Sequence, residues 1–91
     1  MLKRSPMRNG KTRVTFSLPA DQPAGVVSVV GDFNEWQPGR HELAHRRNGS
    51  RSITADLSTG CYRFRYLASD DLWFDEPTAD QIDAAGSIIN I

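Results

Sequence analysis

The sequence predicts an all-β sandwich, and three observations support this fold class. Short segments rich in β-branched and aromatic residues alternate between polar and apolar positions, which is the period of a half-buried strand. Turn-forming residues separate about seven such segments at regular spacing, as in sandwich folds. No stretch shows the period of an amphipathic helix. Because no helix is available to cover a sheet, the second layer has to be another sheet.

Length and composition limit the chain to one small domain. With 91 residues there is no room for a second core, and two Trp, two Tyr and four Phe supply the apolar area for one. The formal net charge of zero argues against bulk attraction to nucleic acid or membrane. We interpret two local charge clusters as solvated patches. The basic cluster is Lys3, Arg4, Arg8, Lys11 and Arg13, and the acidic one is Asp70, Asp71, Asp75, Glu76, Asp80 and Asp83.

The sequence also predicts a soluble protein of the cytoplasm. Cys61 is the single cysteine, so no disulfide can form within the chain, and a reducing compartment is its natural environment. The first residues lack the apolar segment of a secretory signal peptide. No apolar run has the length needed to cross a bilayer.

The first third of the chain reads as an arm followed by two strands. Residues 1–10 are polar, so we expect a flexible arm ahead of a single domain at residues 11–91. Residues 13–18 alternate like a half-buried strand, and residues 19–25 form a turn-rich connection. Residues 26–30 are apolar on both faces, which favours a central strand. The inward residues of the first strand are Val14, Phe16 and Leu18.

A hairpin is predicted in the middle of the chain. Residues 41–43 have the composition of a short strand, and residues 46–49 end in Asn-Gly, which accepts the positive φ angles of a tight hairpin turn. Residues 50–57 alternate again and form the returning strand. Its inward residues are Ile53, Ala55 and Leu57.

The last third holds the clearest strand, at residues 61–68. Its aromatic residues fall on one face and its two arginines on the other. Residues 72–74 restart a strand, residues 78–86 read as a long loop, and residues 87–91 form the last strand. The aromatic residues of the clearest strand are Tyr62, Phe64 and Tyr66, and the arginines are Arg63 and Arg65.

The sequence offers no catalytic or metal-binding constellation, so we expect neither an enzyme nor a cofactor. The carboxylate pairs at residues 70–71 and 75–76 are sequence neighbours, which point to opposite faces of a strand rather than across a cleft. His41, His45 and Cys61 are too few for an ordinary zinc site. No nucleophile elbow or phosphate-binding glycine loop is present.

Nucleic-acid binding is a weak alternative. Residues 62–66 interleave aromatic residues with arginines, as sheet-based RNA readers do. Strand alternation places those aromatic rings on the core side, however, whereas a stacking platform needs rings and charges on one exposed face. The pattern therefore indicates core packing.

Two tryptophans make a sugar-binding surface the stronger prediction. The strand at residues 26–30 breaks at Gly31-Asp32 and delivers Trp36 onto a polar loop, and Trp73 likewise lies at a junction between strand and turn. Large residues beside turns are often only partly covered. Sugar rings pack their C–H faces on indole rings, and the outward-facing Arg65 supplies donors for their hydroxyl groups. We expect Phe33 to fold inward and anchor the loop.

The chain resembles carbohydrate-binding module family 48 over nearly its whole length. That family includes the N-terminal domains of isoamylases and branching enzymes and the glycogen-binding domain of AMP-activated kinase β subunits. The most specific feature is a Gly-Asp-Phe-Asn-x-Trp motif combined with a later tryptophan before an acidic residue and proline. The matching segments are VVGDFNEW at 29–36, GCYRFRYL at 60–67, WFDEP at 73–77 and SIINI at 87–91.

The resemblance implies an immunoglobulin-like early-set β-sandwich that binds α-1,4-linked glucan without catalysis. The family's two stacking tryptophans correspond to Trp36 and Trp73, and its basic hydroxyl-binding residue corresponds to Arg65. The apolar residue of the family's late loop corresponds to Ile82. We add Asn34, beside the aromatic loop, as a further candidate for bonding sugar hydroxyls.

One departure from the family keeps a second hypothesis open. Family members often carry asparagine just before the last strand, where this chain has Gly86. A protein–protein interaction or regulatory domain of glycogen metabolism, with the fold kept and sugar binding lost, would explain that change. In the family the module normally precedes a catalytic barrel or sits in a larger subunit. We expect this chain to act in trans, bringing a glycogen-metabolising enzyme to glucan.

Overall fold

The computed structural model describes residues 1–91, apart from the side chain of Asp70, and shows two antiparallel sheets packed face to face. Asp70 was placed in the acidic cluster and in a carboxylate pair, and its side chain lies outside the described part. Short 3-10 turns occupy Asp32–Asn34 and Ser69–Asp71. The strands are β1 (Leu2–Pro6), β2 (Thr12–Pro19), β3 (Val27–Gly31), β4 (Ala44–His45), β5 (Ser50–Leu57), β6 (Cys61–Ala68), β7 (Leu72–Phe74), β8 (Gln81–Asp83) and β9 (Gly86–Asn90).

Sheet A is built around two eight-residue strands, β2 and β5, and sheet B around one, β6. Sheet A has the order β1-β2-β5-β4, and β2 pairs with β5 along its whole length. Sheet B has the order β3-β6-β9-β8, with β7 also paired to β6. β3 pairs with one edge of β6. The other edge pairs with β9 over its first half and with β7 over its second half. The all-β sandwich predicted from the sequence is confirmed.

The core lies between the two sheets and follows the predicted alternation. Phe16 of β2 and Phe64 of β6 meet edge to face with ring centroids 5.1 Å apart. Phe33 stacks on Phe16 at 5.7 Å, so the aromatic loop is anchored inward as predicted. The buried core residues are Val14, Phe16, Val27, Val29, Leu43, Ala55, Leu57, Phe64, Tyr66, Ala68 and Ile89.

The flexible arm expected at residues 1–10 is instead largely an ordered edge strand. Leu2–Pro6 form β1 and pair with β2, and Leu2 packs against the core. The Leu2 amide donates to Thr78 Oγ1 at 3.2 Å, and Arg4 pairs with Asp80 at 2.9 Å. Edge strands need few apolar residues because only one edge and part of one face are covered. A polar segment could therefore not be distinguished from an arm by composition.

Strand β3 is buried on both faces but lies at the end of its sheet, not at the centre as predicted. Residues 41–43 cover its outer edge: the Val29 amide donates to His41 O and the Leu43 amide to Val27 O, both at 2.9 Å. The short strand expected at 41–43 is replaced by this cover and by β4. A strand that is apolar on both faces has to be buried, but the segment that covers it can be a loop as well as another strand.

Residues 78–86 were expected to be a loop but include β8, which pairs with β9. The hairpin connecting them turns at Ala84-Ala85, and the Ala85 amide donates to Asp83 Oδ1 at 2.9 Å. A strand of three residues has no alternation long enough to detect from sequence. Among the residues that the structure describes, no helix is long and apolar enough to cross a membrane.

Arg51 is a buried basic residue that the sequence reasoning did not single out. It lies two residues before Ile53 on β5, so both side chains point to the inner face of sheet A, and Arg51 is 1% exposed. Its guanidinium donates to the carbonyl oxygens of Pro19 at 2.9 Å, Pro23 at 2.8 Å and Gly25 at 2.8 Å. The turn-rich connection between β2 and β3 is thus closed over a charged side chain whose donors are satisfied by backbone.

Candidate functional site

The outer face of sheet B, here called the platform face, carries the outward side chains of Arg63, Arg65 and Leu67 on β6 and of Trp73 on β7. These positions alternate with core residues along β6. Leu67 is the pairing partner of Trp73, which places both side chains on the same face of the sheet. Most of this face belongs to β6, and the buried aromatic rings of β6 fix its register.

Trp73 stands on this face with 44% of its surface exposed. Its neighbours on β7 explain why: Phe74 turns inward and packs on Tyr66 at a ring distance of 5.1 Å, so Trp73 must turn outward. Leu72 beside it is 51% exposed. A large aromatic ring is therefore held in solvent by the packing of the next residue.

Trp36 is presented by an unusual turn. Glu35 and Trp36 have φ angles of 59° and 56°, in the left-handed region that residues other than glycine rarely adopt. The Trp36 amide donates to Gly31 O at 2.9 Å, which closes the turn after Asp32–Asn34. Its ring is 36% exposed. Backbone strain of this kind tends to mark functional sites.

The two tryptophans are anchored at opposite ends of the same segment of β6. The Trp36 indole nitrogen donates to Asp32 Oδ1 at 2.9 Å, and Asp32 Oδ2 accepts from the Arg63 amide, also at 2.9 Å. Trp73 pairs with Leu67, four residues further along. Four residues of strand span about 13 Å. Arg65 lies midway between the two anchor points.

Arg65 is tethered but keeps donors for a ligand. Its Nη2 donates to Ala84 O at 2.7 Å, and its Nε lies 3.5 Å from Asp75 Oδ1. The side chain is 30% exposed. A guanidinium has five N–H groups in a planar fork, so these two contacts leave donors that can point to solvent. The arginine is thereby held in place on the platform face.

Gly86 lies directly beneath the two arginines. A Cβ atom added there would meet Phe64 O at 3.0 Å and the Cγ atoms of Arg63 and Arg65 at 3.3 Å. Its φ of 139° is also one that L side chains rarely adopt. The departure from the family's asparagine therefore makes room for two arginine stems packed side by side.

The structure removes Asn34 from the predicted sugar contacts. Its side chain is 1% exposed, and its Oδ1 accepts from the Gly31 amide at 3.0 Å. Its Nδ2 donates to Val29 O at 2.9 Å and lies 3.0 Å from His41 Nδ1. All of its polar capacity holds the turn together, because a buried amide needs internal partners. Asn34 supports the Trp36 turn and cannot reach a ligand.

Ile82, the predicted apolar contact of the late loop, does not share the platform face. It is 50% exposed on β8 and pairs with Ser87, whose hydroxyl accepts from the buried Glu76 amide. The next residue, Asp83, reaches the platform face and pairs with Arg63 at 2.7 Å. Ser87 in turn pairs with the core residue Phe64, so by register the Ile82 side chain is directed to the opposite face of sheet B from Arg63 and Arg65.

Sequence reasoning missed three residues of this surface: Asp32, Arg63 and Asp83. Arg63 shares the outward parity of Arg65, a signal that could have been used. Asp32 precedes the aromatic loop, where a short acidic side chain often bonds nearby donors. Asp83 pairs with Arg63 across a hairpin that the sequence did not reveal.

Two of the acidic residues, Glu76 and Asp75, accept hydrogen bonds within the fold. Burial of Glu76 favours its neutral form, but hydrogen bonds from the Met1 amine, Thr78 and Tyr66 outweigh burial and lower its pKa. A general acid at neutral pH needs a raised pKa instead. Asp75 accepts from Ser87 Oγ at 2.9 Å. Within the described residues, no group of three or more His, Cys, Asp or Glu side chains could hold a metal ion.

A two-sheet sandwich with two exposed tryptophans linked to the strand that carries Arg65 has the features of a carbohydrate-binding module. The family described as the glycogen recognition site of AMP-activated protein kinase matches residues 7–91, and the chain belongs to this family. This confirms the resemblance drawn from the sequence. No curated protein matches the chain at a significant level. The protein is a glycogen-recognition module.

Proposed function

We propose that the module binds α-1,4-linked glucan on the platform face through Trp36, Trp73 and Arg65, without catalysing a reaction. The observation that carries this proposal is the placement of two exposed indole rings at either end of a segment of β6, with a tethered guanidinium between them. Ile82 has no direct role on this face, because by register it is directed to the opposite face of the sheet. Asn34 has no direct role, because it is buried.

The chemistry of the surface matches a chain of glucose units. Indole rings cover the C–H faces of sugar rings, and the Arg65 fork bonds hydroxyl oxygens in its plane, unlike the point charge of a lysine. The surface is open, so sugar hydroxyls outside the contact stay in water. We expect weak binding, with a free energy of roughly −4 to −7 kcal/mol, because desolvation and association entropy offset much of the contact gain.

Titration with maltoheptaose, followed by amide chemical shifts, tests this proposal. Shifts should concentrate on residues 32–37, 63–67 and 72–75. Trp36→Ala and Trp73→Ala should each weaken binding at least about tenfold, since each removes one stacking ring. Thr54→Ala, on the outward face of sheet A, is the matched control and should bind like the parent protein. No response at millimolar sugar would contradict the proposal and favour an interaction domain that lost sugar binding.

We further propose that the module works in the cytoplasm and acts in trans on a glycogen-metabolising enzyme. The free thiol of Cys61 is exposed, which suits a reducing compartment. A glucan-binding module and an enzyme that bind the same polymer are brought together, because the shared polymer raises the local concentration of both. Fractionation of cells with an antibody to the module tests the compartment, and recovery in a secreted fraction would contradict it.

A further inference from the structure

Asp32 uses both of its carboxylate oxygens to connect the Trp36 ring to the backbone of β6. Oδ1 accepts the indole N–H of Trp36, and Oδ2 accepts the backbone N–H of Arg63, each at 2.9 Å. Both partners are donors, and an ionised carboxylate is an acceptor on both oxygens. The side chain thus ties the exposed ring to the strand that carries Arg65.

This contact fixes the ring at the end opposite its backbone. The Trp36 amide is already held by Gly31 O, and the bond to Asp32 restricts the two side-chain torsions as well. A ring ordered before binding does not lose that freedom when the ligand arrives, and preorganisation of this kind raises affinity. The indole N–H is also occupied, so the ring offers its face and not its donor.

We propose that Asp32 is a positioning residue for sugar recognition: it holds the Trp36 ring in the orientation that stacks on glucan and leaves hydroxyl bonding to Arg65. This inference rests on the proposed glucan-binding function of the platform face. Asp32 itself does not contact the ligand. Its effect passes entirely through the bond to the indole N–H.

A matched pair of substitutions tests the role. Asp32→Asn and Glu35→Gln each remove one negative charge from the same turn, and Glu35 makes no hydrogen bond through its side chain among the described residues. Asparagine has one acceptor oxygen, so it can serve only one of the two donors. Asp32→Asn should weaken maltoheptaose binding about fivefold, as expected when one side chain must be ordered on binding. Glu35→Gln should change it less than about twofold.

A double-mutant cycle separates positioning of the ring from support of the turn. Trp36→Phe has no indole N–H, so in that background Asp32→Asn should have almost no further effect on affinity. An equal fivefold loss in both backgrounds would overturn the proposal, because Asp32 would then act only through Arg63. Replacing Trp36 by benzothienylalanine, which has sulfur in place of the N–H, leaves Asp32 intact and should produce the same loss.

The free protein gives a readout that does not depend on sugar. In the Trp73→Phe background, Trp36 is the one tryptophan left, and Asp32→Asn should make its fluorescence anisotropy decay faster, while Glu35→Gln should not. Unchanged ring mobility would overturn the positioning role. Failure of the parent protein to bind maltoheptaose would instead contradict the proposed function, and the mobility measurement would still decide the role of Asp32.

Discussion

At the scale of single residues, the Trp36 turn depends on a buried polar contact beneath it. Asn34 Nδ2 is a donor and lies 3.0 Å from His41 Nδ1, so the imidazole must accept there and carry its proton on Nε2. Phe33 packs edge to face on the same ring at 5.3 Å. His41 is therefore held in its neutral form by both a hydrogen bond and its apolar neighbour.

This arrangement makes stability depend on pH. Burial and then the nearby positive charge of Arg40 lower the pKa of His41 below its ordinary value. The unfolded chain, with a histidine pKa of about 6.5, then binds more protons than the folded one, so stability is lost as pH falls through that value. Urea unfolding at about pH 7.5 and about pH 5.5 should show this loss. His41→Gln should reduce it, and His45→Gln, at an exposed site, should not.

At the scale of elements, two arginines of β6 bind the turn of the hairpin formed by β8 and β9. Arg63 pairs with Asp83 and Arg65 donates to Ala84 O, both at 2.7 Å. Their stems pack over Gly86, where no side chain intervenes. The position of this hairpin thus depends on Gly86 and on the two arginines that pack over it.

Restoring the family's asparagine should therefore damage this chain. In Gly86→Asn the new Cβ would lie 3.0 Å from Phe64 O, on a backbone with φ of 139°, and we expect a loss of about 2 kcal/mol in unfolding free energy. Gly49→Asn is the control: its φ is 82°, which asparagine tolerates, and nothing lies within 4 Å. Chemical denaturation of both variants measures the difference. Equal stability of the two would contradict this account of Gly86.

Long alternating strands were predictable from the sequence, and short edge elements were not. The register of β6 follows from Tyr62, Phe64 and Tyr66, because a slip by one residue would expose all three rings. β1 and β8 are short and polar, so nothing in their composition marks them as strands. Their pairing depends on partners far away in the chain.

The candidate sugar-binding residues, too, were only partly predictable from the sequence. Trp36 and Trp73 could be recognised because large rings beside turns are conspicuous in sequence, and the structure finds both exposed. Asn34 has the composition of a surface residue, yet its burial depends on the fold of the turn around it. Arg51 on β5 and Arg65 on β6 are arginines in alternating strands, but Arg51 points to the core side of its sheet and Arg65 to the outer side. The alternation separates the two only once the core side of each strand is known.

At the scale of the whole molecule, the two sheets present different surfaces. The platform face of sheet B carries the exposed ring of Trp73, and the Trp36 turn is bonded to the same strand, β6. The outward face of sheet A carries Thr15, Ser17, Ser52 and Thr54 among charged residues. Small hydroxyl side chains make a weak anchor for a protein partner, since interface energy concentrates in buried aromatic and arginine residues. The molecule is thus asymmetric, because both exposed tryptophans are anchored to sheet B and none to sheet A.

This asymmetry predicts that recruitment of an enzyme is mediated by glucan and not by direct contact. If both proteins bind the same polymer, a glycogen-metabolising enzyme should co-purify with the module in the presence of glycogen and be lost after amylase digestion. Trp73→Ala should reduce co-purification in proportion to its loss of sugar binding, and Thr54→Ala should retain co-purification. Pull-down from extract with and without amylase measures both. Recovery that persists after digestion would show direct contact between the proteins and would contradict recruitment through glucan.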